Sequence, residues 1–78
     1  MLNVIDAVRK AREYFSALHE DEVVTELHTA EVERSSDGSR WAVTLSYGDD
    51  DVSAISKHKV VEVDAETGDF VSMKLRTL

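Results

Sequence analysis

A strand, a tight turn and a second strand can be read from residues 60–73, and this segment constrains the fold most. Apolar and polar residues alternate on both sides of the turn, as is typical of strands with one buried face. A type I turn with a glycine bulge at Glu66-Thr67-Gly68 would connect the strands, with Gly68 in the left-handed conformation that glycine adopts without penalty. The predicted pairs are Val63 with Val71, Val61 with Met73, Phe70 with Asp64, and Val60 with Lys74.

A second hairpin is predicted upstream, where Asp37-Gly38 is typical of a two-residue turn. The strand after it has a clear inward-facing row, which consists of Trp41, Val43, Leu45 and Tyr47. A turn centred on Asp37-Gly38 places Val32 opposite Val43 and Ala30 opposite Leu45. The apolar residues of the preceding strand change phase, so we expect a bulge near His28-Thr29 that returns them to one face.

The first part of the chain predicts one amphipathic helix over Val4–Leu18. Asn3 is a suitable N-cap, and Asp6 three residues later resembles a capping box. Apolar residues recur at spacings of four and three and so form one stripe along the helix. This stripe comprises Val4, Val8, Ala11, Phe15 and Leu18.

These elements predict a single α+β domain over residues 1–78. One N-terminal helix would pack on a four-stranded antiparallel meander sheet, because helix and sheet each offer one apolar face that neither can bury alone. The expected strands are Val23–Arg34, a strand containing Trp41–Tyr47, about Ile55–Asp64, and Phe70–Arg76, with a polar connection at Gly48–Ser56.

Composition narrows the classes of function. The chain has 78 residues, no cysteine and a formal charge of −7 from sixteen acidic and nine basic residues. Nucleic-acid binding requires clustered Lys and Arg, so we expect no nucleic-acid partner. The sequence does not start with the basic region and apolar run of a secretory signal peptide, and no apolar stretch is long enough to cross a bilayer. We therefore expect a soluble, cytoplasmic protein without a membrane partner.

Catalytic and cofactor motifs are not recognised, and we expect neither an enzyme nor a cofactor. His19, His28 and His58 match no zinc-site spacing, and no serine or cysteine nucleophile motif occurs. Asp49-Asp50-Asp51 resembles the start of a calcium loop but lacks the required downstream glycine and glutamate. A weak surface cation site at these aspartates stays open as an alternative.

The sheet face opposite the helix, or an unpaired edge strand, is where we expect a partner to bind. The predicted register places Ala42, Thr44, Ser46, Val60, Glu62, Ser72 and Lys74 on that face, with Phe70 near the turn. The candidate partner contacts are Val60, Phe70, Asp49, Asp50 and Asp51.

The order of helix, strand and hairpin, followed by residues 61–71 (VEVDAETGDFV), resembles the PepSY domain. In that family a similar strand ends in a V-D-A-x-T-G-x-V-type hairpin, preceded by an aromatic-led strand such as Trp41–Leu45 here. The resemblance implies a PepSY- or cystatin-like fold. It also implies a role in binding or restraining a protein partner, including a peptidase.

A second resemblance is to a small accessory protein of gas vesicles, which also has a Trp-x-Val strand and a C-terminal hairpin followed by serine and basic residues. Residues 71–76 (VSMKLR) carry this similarity. The function predicted from the sequence is therefore a small non-enzymatic protein-binding module. A gas-vesicle-type structural accessory, a ligand- or cation-responsive module and a homodimer stay open as alternatives.

Overall fold

A computed structural model of the chain describes residues 1–21, 24–49 and 57–76. The helix α1 spans Val4–Leu18, and the strands are β1 (Val24–Arg34), β2 (Arg40–Asp49), β3 (Lys57–Asp64) and β4 (Phe70–Leu75). The strands form one antiparallel sheet in the order β1-β2-β3-β4, and α1 packs on one of its faces. The predicted α+β fold, with one helix on a four-stranded meander, is confirmed.

The bounds of α1 and its cap are also confirmed. Asn3 Oδ1 accepts a hydrogen bond from the Asp6 backbone N–H at 2.8 Å, which satisfies one of the donors that a helix start leaves unpaired. The predicted stripe is wrong at its two ends, because Val4 and Leu18 are exposed. The fully covered helix face consists of Ala7, Ala11 and Phe15.

The core lies between that helix face and the two inner strands. The inward row predicted for β2 is confirmed: Val43, Leu45 and Tyr47 are buried, and Trp41 packs against the cluster while partly exposed. From β3, Val61 and Val63 have no exposed surface. Because β2 and β3 supply these residues, the centre of the sheet is well covered and the edges are less so.

The first hairpin keeps the predicted register near its turn and loses it farther away. Val32 pairs with Val43 as predicted, but Leu45 pairs with Thr29. Ala30 is the extra residue of a bulge and is exposed, so its predicted place opposite Leu45 is wrong. A second irregularity includes Glu26, whose φ is +53°. The bulge expected near His28-Thr29 is therefore two irregularities, one on each side.

The turn of this hairpin is longer than predicted. Gly38 has φ +75°, but Asp37 does not share the positive φ that a two-residue type I′ turn requires. The Gly38 N–H donates to Ser35 O and the Ser35 N–H donates to Arg40 O, both at 2.9 Å. Asp37 Oδ1 accepts from the Ser35 hydroxyl and from the Ser39 N–H and hydroxyl. This carboxylate organises the loop.

The second hairpin has a loop of four residues, 65–68, rather than the predicted three. The Asp64 N–H donates to Asp69 O at 2.8 Å, and the Gly68 N–H donates to Asp64 O at 2.9 Å. Asp64 Oδ1 also accepts from the backbone N–H groups of Glu66 and Thr67. Gly68 has φ +80°, which confirms its predicted left-handed conformation.

One extra loop residue changes the pairing at the start of β4. Val63 pairs with Phe70, and Val71 is bulged out and exposed. The predicted pairs of Val63 with Val71 and of Asp64 with Phe70 are therefore wrong. Beyond the bulge the predicted register is restored and confirmed, with Val61 opposite Met73 and Val60 opposite Lys74.

The N-terminal segment ties the two loops together. The Leu2 N–H donates to Ala65 O at 2.7 Å, and the Ala65 N–H donates to Ser39 O at 2.9 Å. The indole N–H of Trp41 donates to Leu2 O at 3.3 Å. Ala65 is fully buried as a result, so a loop residue becomes part of the packed structure.

Substituting the two turn glycines separates backbone strain from crowding. Gly68→Ala and Gly38→Ala should each destabilise the fold by about 1–2 kcal/mol, because alanine is strained at a positive φ. Gly68→Ala should cost more, since its Cβ would lie 3.0 Å from a Leu2 methyl carbon, whereas the nearest atom at Gly38 is 3.6 Å away. Urea unfolding measures both, and a costlier Gly38→Ala would contradict this ranking.

The two loop carboxylates predict a specific loss of stability in acid. Hydrogen bonds from the Ser35 hydroxyl and the Ser39 N–H hold the pKa of Asp37 well below its usual 3.8. The Thr67 and Glu66 N–H groups likewise lower the pKa of Asp64. A carboxylate whose pKa is lower in the folded state than in the unfolded state stabilises the fold at pH values above the unfolded-state pKa, near 3.8. This stabilisation is lost as the pH falls through the lower, folded-state pKa.

Asp37→Asn and Asp64→Asn should therefore lower Tm at neutral pH, and the difference from the parent chain should narrow towards pH 2. Ser35→Ala removes one donor to Asp37 and should shift the acid unfolding transition to higher pH. Thermal melts at a series of pH values provide the measurement. Equal differences in Tm at neutral and acidic pH would contradict the assignment.

Candidate protein-binding surface

The strongest candidate surface lies along β4, at one edge of the sheet. Three large apolar side chains of this strand are exposed: Phe70 and Val71 at 40% and Leu75 at 68%. Among the described strands β4 pairs with β3 alone, so its other side is an edge. An exposed edge strand with apolar side chains is a template for the pairing of another extended segment.

The backbone of β4 offers hydrogen-bonding groups along this edge. The Arg76 N–H donates to His58 O at 2.9 Å, so the backbone at Arg76 is directed towards β3. In an antiparallel ladder the direction of the backbone groups alternates from residue to residue. Leu75 and Met73 therefore direct their N–H and C=O groups towards the open side.

Helix α1 forms a wall beside this edge. The ring of Tyr14 meets the ring of Phe70 edge-on, with 5.4 Å between centroids, and the Tyr14 hydroxyl donates to Gly68 O at 3.1 Å. The hydrogen bond fixes the Tyr14 ring, and the ring contact holds Phe70 against the helix side. The two rings therefore form an aromatic surface at the start of β4, on the helix side of the sheet.

The position of Phe70 corrects the prediction from the sequence. Phe70 was expected on the face opposite the helix, but it pairs with fully buried Val63 and so lies on the helix side. The bulge at Val71 causes this change, because one extra residue moves the preceding side chain to the other face. Phe70 stays a candidate contact, but as part of the β4 edge.

Val60 is on the outer face of the sheet, as predicted. It lies between Thr44 of β2 and Lys74 of β4 in the sheet. The predicted outer-face residues Ala42, Thr44, Ser46, Val60, Glu62, Ser72 and Lys74 all have registers that place them there. Phe70 and Val60 therefore lie on opposite faces and do not form one surface.

Polar contacts between its own side chains cover much of that outer face. Arg76 crosses the sheet, and its Nη1 donates to Glu31 Oε2 at 2.7 Å and to Thr44 Oγ1 at 2.8 Å. Glu62 accepts from the Ser72 hydroxyl at 3.0 Å and pairs with Arg40 at 3.5 Å. An antiparallel sheet commonly has one polar face opposite its core face. Because these polar side chains already bond to one another, this face is a weaker candidate surface than the β4 edge.

The opposite edge, β1, is a poor template for strand addition. Its pairing with β2 is interrupted twice, and Glu26 has a positive φ. Bulges and charged residues are devices that prevent pairing at sheet edges. Glu31 and Glu33 add exposed carboxylates along the regular part of β1.

The aspartates predicted as contacts do not join the β4 surface. Asp49 ends β2 and pairs with Val24, at the end of the sheet away from Phe70. Asp50 and Asp51 lie outside the described residues, as does the expected start of β3 near Ile55. Within residues 1–21, 24–49 and 57–76, no group of three or more His, Asp or Glu side chains could hold a metal ion.

The sequence held two signals for the β4 surface that alternation alone does not reveal. Phe70 and Met73 are three residues apart, the spacing at which a bulge brings two side chains to one face. Asp64 followed by polar Glu66 and Thr67 is also consistent with the longer, carboxylate-organised loop. The contact of Tyr14 with Phe70 joins residues far apart in the chain, and no local pattern indicates it.

Comparison with protein-family models, with curated proteins and with solved structures found no match. In the part of the chain that the structure describes, no helix is long and apolar enough to cross a membrane.

The contact between Tyr14 and Phe70 can be measured by a double-mutant cycle with Tyr14→Leu and Phe70→Leu. Edge-on aromatic pairs contribute about 0.5–1.5 kcal/mol beyond burial, so the two substitutions should be non-additive by that amount. Tyr14→Phe keeps the ring and should cost about 0.5–1.5 kcal/mol through its lost hydrogen bond. Additive losses in urea unfolding would show that the rings do not interact.

Proposed function

We propose that this chain is a small non-enzymatic protein-binding module that captures an extended segment of another protein on the edge of β4. The observation that supports this most is the exposed strand itself, with Phe70, Val71 and Leu75 open to solvent. Backbone groups directed outwards at Met73 and Leu75 would supply hydrogen bonds, and the side chains would supply selectivity.

The chemistry of the edge indicates what kind of segment fits. On the helix side, Tyr14 and Phe70 offer aromatic surface to an apolar side chain. On the outer side, exposed Lys74 favours an acidic side chain. Side chains of an added strand alternate between these two sides. The favoured partner segment is therefore extended, with apolar and acidic residues in alternation.

Charge favours another protein over a second copy of this chain. Pairing β4 with the β4 of a second copy would bring Lys74 and Arg76 of both copies onto one continuous sheet. Like charges at neighbouring strand positions oppose pairing. Each chain also carries a formal charge of −7, so two copies repel at long range.

The resemblance to PepSY domains is consistent with this role, because that family is associated with binding or restraining protein partners. Under this proposal the partner is a peptidase or another protein that offers an extended segment. In the gas-vesicle alternative the same edge would bind a shell component. A ligand- or cation-responsive module would instead show a gain in Tm on ligand binding without a protein partner.

The test uses crosslinking capture from native lysate, with the purified chain and three folded variants as bait. Leu75→Pro removes an outward-directed N–H at a position where an edge strand tolerates proline. Leu75→Ala is its matched control, because it shortens the same side chain and keeps the N–H. Val60→Asp places a charge on the outer face and tests that surface separately.

Strand addition predicts a partner that is captured by the parent chain, Leu75→Ala and Val60→Asp, and lost with Leu75→Pro. The purified partner should also slow hydrogen exchange at the Met73 and Leu75 amides. If capture of the partner is lost with Val60→Asp alone, the partner binds the outer face and the assignment to the β4 edge is wrong. Capture of nothing specific would overturn the proposed function.

A further inference from the structure

A groove separates the C-terminal end of α1 from strand β1, on the side of the helix away from β4. Its volume is about 260 Å³. This is below the roughly 300–1,000 Å³ of pockets that enclose drug-sized ligands, and it suits one long side chain. The lining residues are Phe15, Ser16, His19, Glu20, Val24 and Leu27.

One part of the groove is apolar and continuous with the core. Phe15 is 1% exposed, and Val24 and Leu27 are partly buried and pack against the core cluster. The Phe15 ring is further held by stacking on His19, with 4.0 Å between centroids. Phe15 thus forms the closed base of the groove, and Val24 and Leu27 provide its accessible apolar surface.

The rim of the groove is negatively polarised. The end of α1 presents the negative end of the helix dipole, and no basic residue lies in its last turn. Glu20, which directly follows the helix end, is exposed and lines the groove. Cations are stabilised at such helix ends, and the carboxylate of Glu20 adds negative charge at the same place. The arrangement favours a positively charged ligand.

The chain already places one cation near this helix end. Lys59 Nζ lies 2.8 Å from His19 Nε2, while His19 Nδ1 lies 2.8 Å from Phe15 O. In this arrangement the imidazole donates from Nδ1 and accepts at Nε2. A side-chain ammonium is therefore accommodated beside a residue that lines the groove.

We propose that this groove binds the side chain of a lysine or arginine presented by a partner protein. The aliphatic stem would lie against Val24 and Leu27, and the charged end would reach Glu20 and the carbonyl end of α1. Long basic side chains combine these two requirements, because their methylene stems bury readily while the charge stays at the rim. The site is separate from the β4 edge and does not depend on it.

The test is an NMR titration of the ¹⁵N-labelled chain with n-butylammonium, which reproduces a lysine side chain. The neutral isostere n-butanol is the matched probe. Glu20→Gln removes the rim charge, and Glu33→Gln removes an equal charge from the outer sheet face. Ser16→Tyr alters an exposed rim residue and fills the groove, and the folding of each variant is checked by its amide spectrum.

We expect saturable shifts of the Ser16, Glu20 and Leu27 amides with n-butylammonium and much weaker ones with n-butanol. Glu20→Gln should weaken binding about threefold, the loss expected for one partly exposed charge at a helix end. Glu33→Gln should leave binding unchanged, and Ser16→Tyr should abolish it.

Three results would overturn the proposal. Equal responses to n-butanol would show an apolar cleft without charge selection. Equal weakening by Glu33→Gln would show general attraction to an acidic protein. Absence of saturable shifts at these amides in the folded parent chain would show that the groove does not bind a basic side chain.

Discussion

The packing of one helix face against two central strands is the interaction on which this structure depends. Ala7 and Ala11 have small side chains, so the helix backbone approaches the sheet closely, and Phe15 fills the space beside them. The Phe15 ring meets Tyr47 edge-on with 4.9 Å between centroids. A core of this kind covers β2 and β3 well, and both candidate sites lie where that cover ends. The β4 edge is on one side of the helix and the groove at β1 is on the other.

Much of the fold was predictable from the sequence because its determinants are local. The cap at Asn3 and the helical periodicity predicted α1, and the alternating apolar residues from Trp41 to Tyr47 predicted the inner face of β2. The exposure of Val4 and Leu18 was not predictable, because periodicity shows a direction around the helix and does not show how far the sheet extends beneath it.

The surfaces were harder to predict than the fold, because they depend on one-residue differences. A three-residue loop and a four-residue loop that both end at Gly68 are compatible with the same alternation of Val71 and Met73 in the sequence. The choice between them places Phe70 on one face or the other. The observed loop length is accompanied by contacts between residues far apart in the chain: the Leu2 N–H donates to Ala65 O, and Phe70 packs on Tyr14. The groove is equally non-local, because it is formed by the end of α1 and a strand that folds back beside it.

The two interruptions of β1 have a consequence for assembly. A sheet with two regular edges can grow in both directions, and repeated addition produces open-ended fibres. Here Glu26 and the bulge at Ala30 distort one edge, while β4 retains a short pairing-competent segment after its own bulge. If the proposed strand addition occurs at β4, the distorted far edge is a poor template for a further strand. Under that proposal, the backbone of β1 opposes polymerisation along the sheet and favours complexes of fixed stoichiometry.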